Sequence, residues 1–366
     1  MKKVLLTGGG SGGHIYPLLA VAETLKKRTG DEIEIFYLGP KHPLNEEFEK
    51  MDVKVFHLAS SKLRRYFSFT NFLDIPKFVY SFFQALARLY FLMPDVVFSK
   101  GGPGAFAVVL AARFYFIPII IHESDSIPGL TNRLSSLFAK RIGISFEKAA
   151  DFFPASKSAL VGNPIRPEFL SGWFESQTAK EKLKFNPKEP LILILGGSQG
   201  AQKINNFVFD NLNELLKTTQ IYHQTGLANF EEARKIAASS GNRYQTAGLL
   251  NVQNLKLAFN AADLVISRAG AGAIFEIAAF GKPSILIPLE GSANNHQKTN
   301  AYEYAKNKAA IVIEETNFKI NLLLVQMQKV LNDEDMTKQM SGAAEKFSKL
   351  NAAEIITKEI LASANK

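Results

Sequence analysis

Short, nearly continuous apolar runs alternate along the chain with longer segments whose apolar positions recur at helical spacing. In the first half the runs are residues 3–7, 33–38, 53–57, 96–99, 119–122, 141–144 and 159–161. In the second half they are 191–195, 221–225, 243–246, 264–267, 284–287 and 310–313. Runs of this length, without strict polar alternation, predict parallel strands covered by helices on both faces. The strand–helix–strand pattern occurs twice, which predicts two doubly wound α/β domains. The break falls near Gly162-Asn163-Pro164-Ile165-Arg166-Pro167, because two prolines so close cannot sit inside a helix or a central strand. The expected division is 1–163 and 164–343, with a C-terminal helix at 344–366 returning to the first domain.

The length of 366 residues agrees with two domains, each able to bury its own core. The chain has no cysteine, which excludes thiol catalysis, iron–sulfur clusters and thiolate zinc sites. No apolar stretch reaches the roughly 20 residues of a membrane-spanning helix, and the apolar run at the N-terminus is too short for a signal peptide. The formal charge of +9 favours an anionic partner. Aromatic content adds a second cue: 29 Phe, 10 Tyr and one Trp. Ten of these crowd between Ser60 and Leu92: Tyr66, Phe67, Phe69, Phe72, Phe78, Tyr80, Phe82, Phe83, Tyr90 and Phe91. Lys62, Arg64, Arg65, Lys77 and Arg88 accompany them, against Asp74 alone. From Lys77 the polar residues Ser81, Gln84 and Arg88 continue one narrow helical stripe. Either that stripe faces solvent over a buried helix, or the apolar surface and the basic loop before it rest on an anionic bilayer. No nucleic-acid motif is present.

Three glycine loops follow strands. The first, Gly8-Gly9-Gly10-Ser11-Gly12-Gly13-His14, turns from a strand into a helix whose first N–H groups suit an anion. It formally fits a dinucleotide fingerprint, but the second strand ends in Tyr37-Leu38-Gly39-Pro40, without the acid a ribose needs. A phosphate loop of the Lys-Ser/Thr type is absent. His14, at the mouth of this loop, is a candidate general base. The second loop, Gly196-Gly197-Ser198-Gln199-Gly200-Ala201, repeats the device in the second half. The third leads from Arg268 through Ala271, Gly272, Ala273, Ile274 and Phe275 to Glu276, a carboxylate in an apolar helix. Glu276 either pairs with Arg268 or caps backbone, or accepts sugar hydroxyls. The amides and imidazole of the 294–300 segment suit a hydroxyl-rich ligand at the C-terminal end of a strand. Asp333-Glu334-Asp335 follows a helix and reads as a solvated turn. His122-Glu123 lacks the second histidine of a zinc motif, and no Gly-x-Ser-x-Gly occurs. No metal site and no cofactor are expected.

With these segments in order, the chain resembles the MurG family of N-acetylglucosamine transferases of peptidoglycan synthesis, glycosyltransferase family 28 of the GT-B superfamily. The likeness is carried by residues 8–17, 100–104, 122–132, 161–166, 196–201, 267–280 and 297–301. It implies two Rossmann-like domains whose parallel sheets face each other across a cleft. It also implies an inverting, metal-independent transfer of N-acetylglucosamine from UDP-GlcNAc to the muramyl C4 hydroxyl of a lipid-linked acceptor (lipid I to lipid II). The first domain would take the acceptor and the second the UDP-sugar, at the cytoplasmic face of the cell membrane. By resemblance, Ser11, Gly12, Gly13 and His14 belong to the acceptor loop, and Arg166 and Ser198 to the donor diphosphate. Val252 would meet uracil through its backbone, Ala271 to Glu276 the nucleoside, and Gln297 the sugar hydroxyls. Asp125 stands where some members carry Asn, and can assist proton removal beside His14. His296 stands where some members carry a second Gln. The competing expectations are a UDP-GlcNAc 2-epimerase, a glycolipid transferase with another acceptor, a non-catalytic nucleotide-sugar-binding protein and a nicotinamide oxidoreductase.

Overall fold

The computed structural model describes residues 1–59, 70–196 and 200–365, with the side chains of residues 70–74 left aside. It falls into two compact units, Met1–Pro167 with Lys349–Lys366 and Glu168–Ser348. The first unit holds β1 (Lys2–Thr7), β2 (Ile33–Gly39), β3 (Lys54–His57), β4 (Val96–Ser99), β5 (Ile119–Glu123), β6 (Arg141–Ile144) and β7 (Ser158–Leu160). The second holds β8 (Leu191–Leu195), β9 (Gln220–Gln224), β10 (Tyr244–Ala247), β11 (Leu264–Ser267), β12 (Ser284–Leu286) and β13 (Ala310–Val312). Each expected apolar run is a strand, with ends displaced by at most one residue.

Both sheets are parallel. The strand orders are β3-β2-β1-β4-β5-β6-β7 and β10-β9-β8-β11-β12-β13. Each winds outward in both directions from a central pair, β1/β4 and β8/β11. Between these pairs the crossovers reverse direction, opening a crevice at the C-terminal strand ends. The α/β doubly wound class is therefore realised twice.

Side-chain alternation builds two cores in the first unit. Leu5, Val97, Ile119 and Ile121 pack on one face with Ala85 and Leu89 of the Thr70–Leu92 helix and Val108 of the Ala105–Phe114 helix. Val4, Leu6, Phe98 and Ile120 pack on the other with Leu18 of the Gly12–Thr29 helix. Ile356 and Ile360 of the C-terminal Ala352–Ser363 helix join that second core, so the chain ends packed against its own first helix. In the second unit, β8 is buried along its whole length. The Asp333 motif is not a bare turn: its carboxylate accepts from Met336 N at 2.9 Å and caps the Glu334–Phe347 helix.

Candidate functional site

Two glycine-rich loops meet at the first crevice. Gly10 has φ +95°, and a Cβ there would lie 2.7 Å from Pro103. Gly102 has φ +86°, and its Cβ would fall 2.2 Å from Gly9 O. Gly9 N donates to Gly101 O at 3.3 Å. The loops after β1 and β4 thus pack backbone on backbone, which only glycine permits. The Gly12–Thr29 helix starts directly from this contact. Its first N–H groups, from Gly12 and Gly13, have no intrahelical carbonyl to bond. His14, half-buried in that first turn, places Nδ1 3.1 Å from Ser11 Oγ. Arg166 is buried and lies over the Tyr16 ring, 4.6 Å from its centroid. Ser11, Gly12, Gly13, His14, Asp125 and Arg166 thus belong to one unit, on segments that follow β1, β5 and β7.

Beneath this loop pair lies a charged network that sequence reading passed over. Lys100, directly after β4, is 2% exposed and donates from Nζ to Ser124 Oγ. Ser124 Oγ donates to Asn163 Oδ1 at 2.6 Å. Buried Glu123 accepts from Asp125 N at 2.9 Å, Gly129 N at 3.2 Å and Asn132 Nδ2 at 3.0 Å. Burial lowers the Lys100 ammonium to about 8, against the pull of Glu123 and Asp125. Burial and the Asp125 carboxylate push Glu123 up, while Lys100 and its hydrogen bonds oppose them. His122 is held well below its ordinary value by burial and by Lys100, and its Nε2 lies 2.8 Å from Gly162 O. A signal was present: Lys100 is the one charged residue between Asp95 and Arg113.

The second crevice is built differently. The Ala271–Ala279 helix begins at Gly270, and a Cβ at Gly270 or Gly272 would meet nothing within 4 Å. Ala271 is buried, Gly272 and Ala273 are half-buried, and Ile274 and Phe275 turn into the core. Contacts from Ile274 and Phe275 would therefore run through backbone. Glu276 is half-buried one turn on. Arg268 pairs with Glu315 at 2.5 Å and donates to Ile287 O at 3.1 Å. Lys203 reaches the same carboxylate at 2.6 Å. Burial raises Glu315, but Lys203 and Arg268 outweigh it and hold it below the ordinary carboxylate range. Gln297, half-buried, accepts at Oε1 from Leu289 N at 3.0 Å, and His296 Nδ1 lies 2.6 Å from Ala293 O. Val252 opens the Val252–Ala261 helix after β10, next to the Asn251 cap. On β9, buried His223 sits between Tyr244 Oη at 3.0 Å and Asn205 Oδ1 at 3.1 Å. Burial lowers it to about 3, so it is neutral. Ser198 lies outside the described residues. Among the described residues no group of three or more His, Asp or Glu could hold a metal ion.

On the aromatic helix Lys77 and Arg88 of the polar stripe are exposed, whereas its two middle members turn inward. Ser81 is fully buried, and Gln84 Oε1 accepts from Ala59 N at 3.0 Å. Beside these cations the exposed surface is largely aromatic: Tyr80, Phe83, Tyr90 and Phe91 are 60–80% exposed. Tyr90 continues it to Tyr115, 6.4 Å between ring centroids, and so to exposed Phe114. Arg113 lies over exposed Phe116 at 5.4 Å. Gln84 is held inward by the Ala59 N–H, and Ser81 is small enough to be buried between the helix and the core. Lys62, Arg64, Arg65, Tyr66, Phe67 and Phe69 lie outside the described residues. No helix among the described residues is long and apolar enough to cross a membrane.

Two doubly wound parallel sheets, each with loops of ligand-binding type at the C-terminal ends of its central strands, give the GT-B fold. The model of the glycosyltransferase family 28 N-terminal domain matches residues 4–144, and that of the family's C-terminal domain matches residues 191–356. The chain is 40% identical over 340 residues, 92% of each protein, to a Clostridium kluyveri protein. That relative is named UDP-N-acetylglucosamine--N-acetylmuramyl-(pentapeptide) pyrophosphoryl-undecaprenol N-acetylglucosamine transferase. The crystal structure of Acinetobacter baumannii MurG superposes with a TM-score of 0.75 at 26% identity, covering 99% of this chain and 100% of that one. A UDP-GlcNAc 2-epimerase from Neisseria meningitidis, bound to UDP-GlcNAc, shares the fold at a TM-score of 0.67 and 16% identity, covering 98% of this chain and 100% of that one. The chain belongs to glycosyltransferase family 28.

Proposed function

We propose that the chain transfers N-acetylglucosamine from UDP-GlcNAc to the muramyl C4 hydroxyl of undecaprenyl-pyrophosphoryl-MurNAc-pentapeptide, with inversion at the anomeric carbon. The observation that carries this reading is the 40% identity to the named Clostridium kluyveri transferase over 92% of both chains, which takes in both crevices. The reaction is a single displacement. The C4 oxygen bonds to the anomeric carbon as the bond to UDP breaks, and the hydroxyl proton passes to a base on the first unit. His14 suits that role at Nε2: with Nδ1 carrying its hydrogen toward Ser11 Oγ, Nε2 can accept. Asp125 assists as a second acceptor. Arg166 and the glycine loop after β8 meet the charge growing on the leaving diphosphate. Glu276 accepts from the ribose hydroxyls, and Val252 meets the base through its backbone. Gln297 has Oε1 engaged with Leu289 N, so its Nε2 is the group that donates to a sugar hydroxyl.

The lipid-linked acceptor requires a membrane surface. The exposed aromatic face formed by Tyr80, Phe83, Tyr90, Phe91 and Phe114, with Arg113 at its edge, fits the headgroup boundary of an anionic leaflet, so the protein works peripherally at the cytoplasmic face. One experiment tests the reading: incubate the protein with labelled UDP-GlcNAc and lipid I. Label passing to lipid supports it. Label kept in an isomerised UDP-sugar identifies an epimerase, and binding without product a carrier of nucleotide-sugar. Turnover that requires Mg²⁺ overturns the metal-independent step.

A further inference from the structure

We propose that Lys100 is a positioning residue of the transfer reaction, fixing Asp125 and Arg166 together through Ser124, Glu123 and Asn163. The inference rests on the reading of Asp125 and Arg166 as working residues. Its geometry is direct. An ammonium can only donate, so the Lys100–Ser124 contact makes Ser124 pass its own proton onward, and it does so to Asn163 Oδ1 at 2.6 Å. Asn163 stands three residues before Arg166, and Ser124 immediately before Asp125. The same cation faces Glu123, whose carboxylate ties down the backbone of Asp125 and Gly129. His122 Nε2, against Gly162 O, joins the ends of β5 and β7 alongside. One buried charge therefore governs two segments, each carrying a group assigned to the chemistry.

Stability does not explain this lysine. Burying an ammonium beside a carboxylate is often no better than an apolar pair of similar volume. A buried cation does do what a methyl group cannot: it orients a hydroxyl relay and favours ionised carboxylates around it. The charged and titratable groups facing Lys100 are Glu123, Asp125 and His122. Because burial brings Lys100 to about 8, its charge is lost in mildly alkaline solution, and the wild-type rate should fall there with it.

The test compares wild type, Lys100→Met, Ser124→Ala and the paired Lys100→Met/Glu123→Gln, with melting temperature recorded for each. Rates with labelled UDP-GlcNAc and a soluble lipid I analogue are taken from pH 6 to 10. The expected result for Lys100→Met at pH 7 is a kcat at least tenfold lower and a KM for UDP-GlcNAc at least threefold higher. The wild-type decline near pH 8 should be absent from that variant. Ser124→Ala should show both losses in smaller measure while keeping the alkaline decline. If Lys100→Met does not fold, the charge-neutral pair and Ser124→Ala carry the decision. A kcat and KM within twofold of wild type in a folded variant, or an unchanged alkaline decline without Lys100, overturns the proposal. If wild type itself transfers nothing, the functional reading fails separately. The affinity of Lys100→Met for UDP-GlcNAc by calorimetry then decides the network: a threefold loss upholds it, and wild-type affinity overturns it.

Discussion

The two crevices share a topology and differ in what lies under them. Under the first, the loops after β1 and β4 are pressed together and rest on buried charge from Lys100 and Glu123. At the second, the charge is a paired cluster, Arg268 and Lys203 on Glu315 directly after β11, and the buried His223 of β9 is neutral between Tyr244 and Asn205. The glycines differ likewise. Gly102 is needed because another backbone occupies the place of its Cβ, whereas Gly270 and Gly272 face open space. A proton-moving site profits from fixed charge in a low-dielectric setting. A site that holds a sugar nucleotide profits from room and from backbone donors. On the proposed function, the same device serves chemistry in one unit and binding in the other.

The sharpest way to break this division is a pair of substitutions. His14→Ala should lower kcat by about 10²–10⁴-fold with little change in KM for UDP-GlcNAc. Glu276→Gln should raise that KM by roughly tenfold or more, as a hydrogen bond to a charged acceptor contributes about 1.5–3 kcal/mol, and leave kcat nearly intact. Steady-state kinetics on both would falsify the division if the two profiles coincide. Next in size is the aromatic face: Phe83→Ser with Phe91→Ser should reduce sedimentation with anionic vesicles at least tenfold, each lost side chain being worth about 1.5–3 kcal/mol if fully buried. Transfer to a soluble acceptor should stay unchanged; loss of both together would place these residues in the fold rather than at a surface.

A smaller contrast separates the glycines. Gly102→Ala should destabilise by about 1–3 kcal/mol through a positive-φ strain and a direct clash, visible as a lowered melting temperature. Gly272→Ala should leave the melting temperature alone, since its Cβ meets nothing within 4 Å, and weaken UDP-GlcNAc binding if the proposed donor site is right. A last contrast concerns pH. His223 has an ordinary value of 6.5 and lies at about 3 when folded. Between those values the unfolded chain binds the extra proton, so stability falls as pH drops through that window, by at most about 1.4 kcal/mol per pH unit. Urea unfolding should show the gap between wild type and His223→Gln narrowing from pH 7 to pH 4. A constant gap would mean the imidazole is not the neutral group described.

Much of this was legible in the chain. The strands could be read because a buried parallel strand is a local pattern, and the glycine loops because a strand, a sharp turn and a helix are contiguous. His14 and Glu276 stood out as polar residues at the ends of such turns. Lys100 did not, since its meaning depends on Ser124 and Asn163, which are 24 and 63 positions away. The helical stripe could not be resolved from spacing for a related reason: Gln84 faces inward because a distant partner, Ala59 N, is waiting for it.

The sequence by itself determined the two doubly wound sheets, the loops at their C-terminal ends and the family, because periodicity and contiguous motifs are local properties. Only the tertiary structure decided which face of the aromatic helix stays uncovered and that a single buried ammonium joins the segments of Asp125 and Arg166. Those outcomes depend on burial and on pairing between distant positions, and neither is written in the spacing of any one segment.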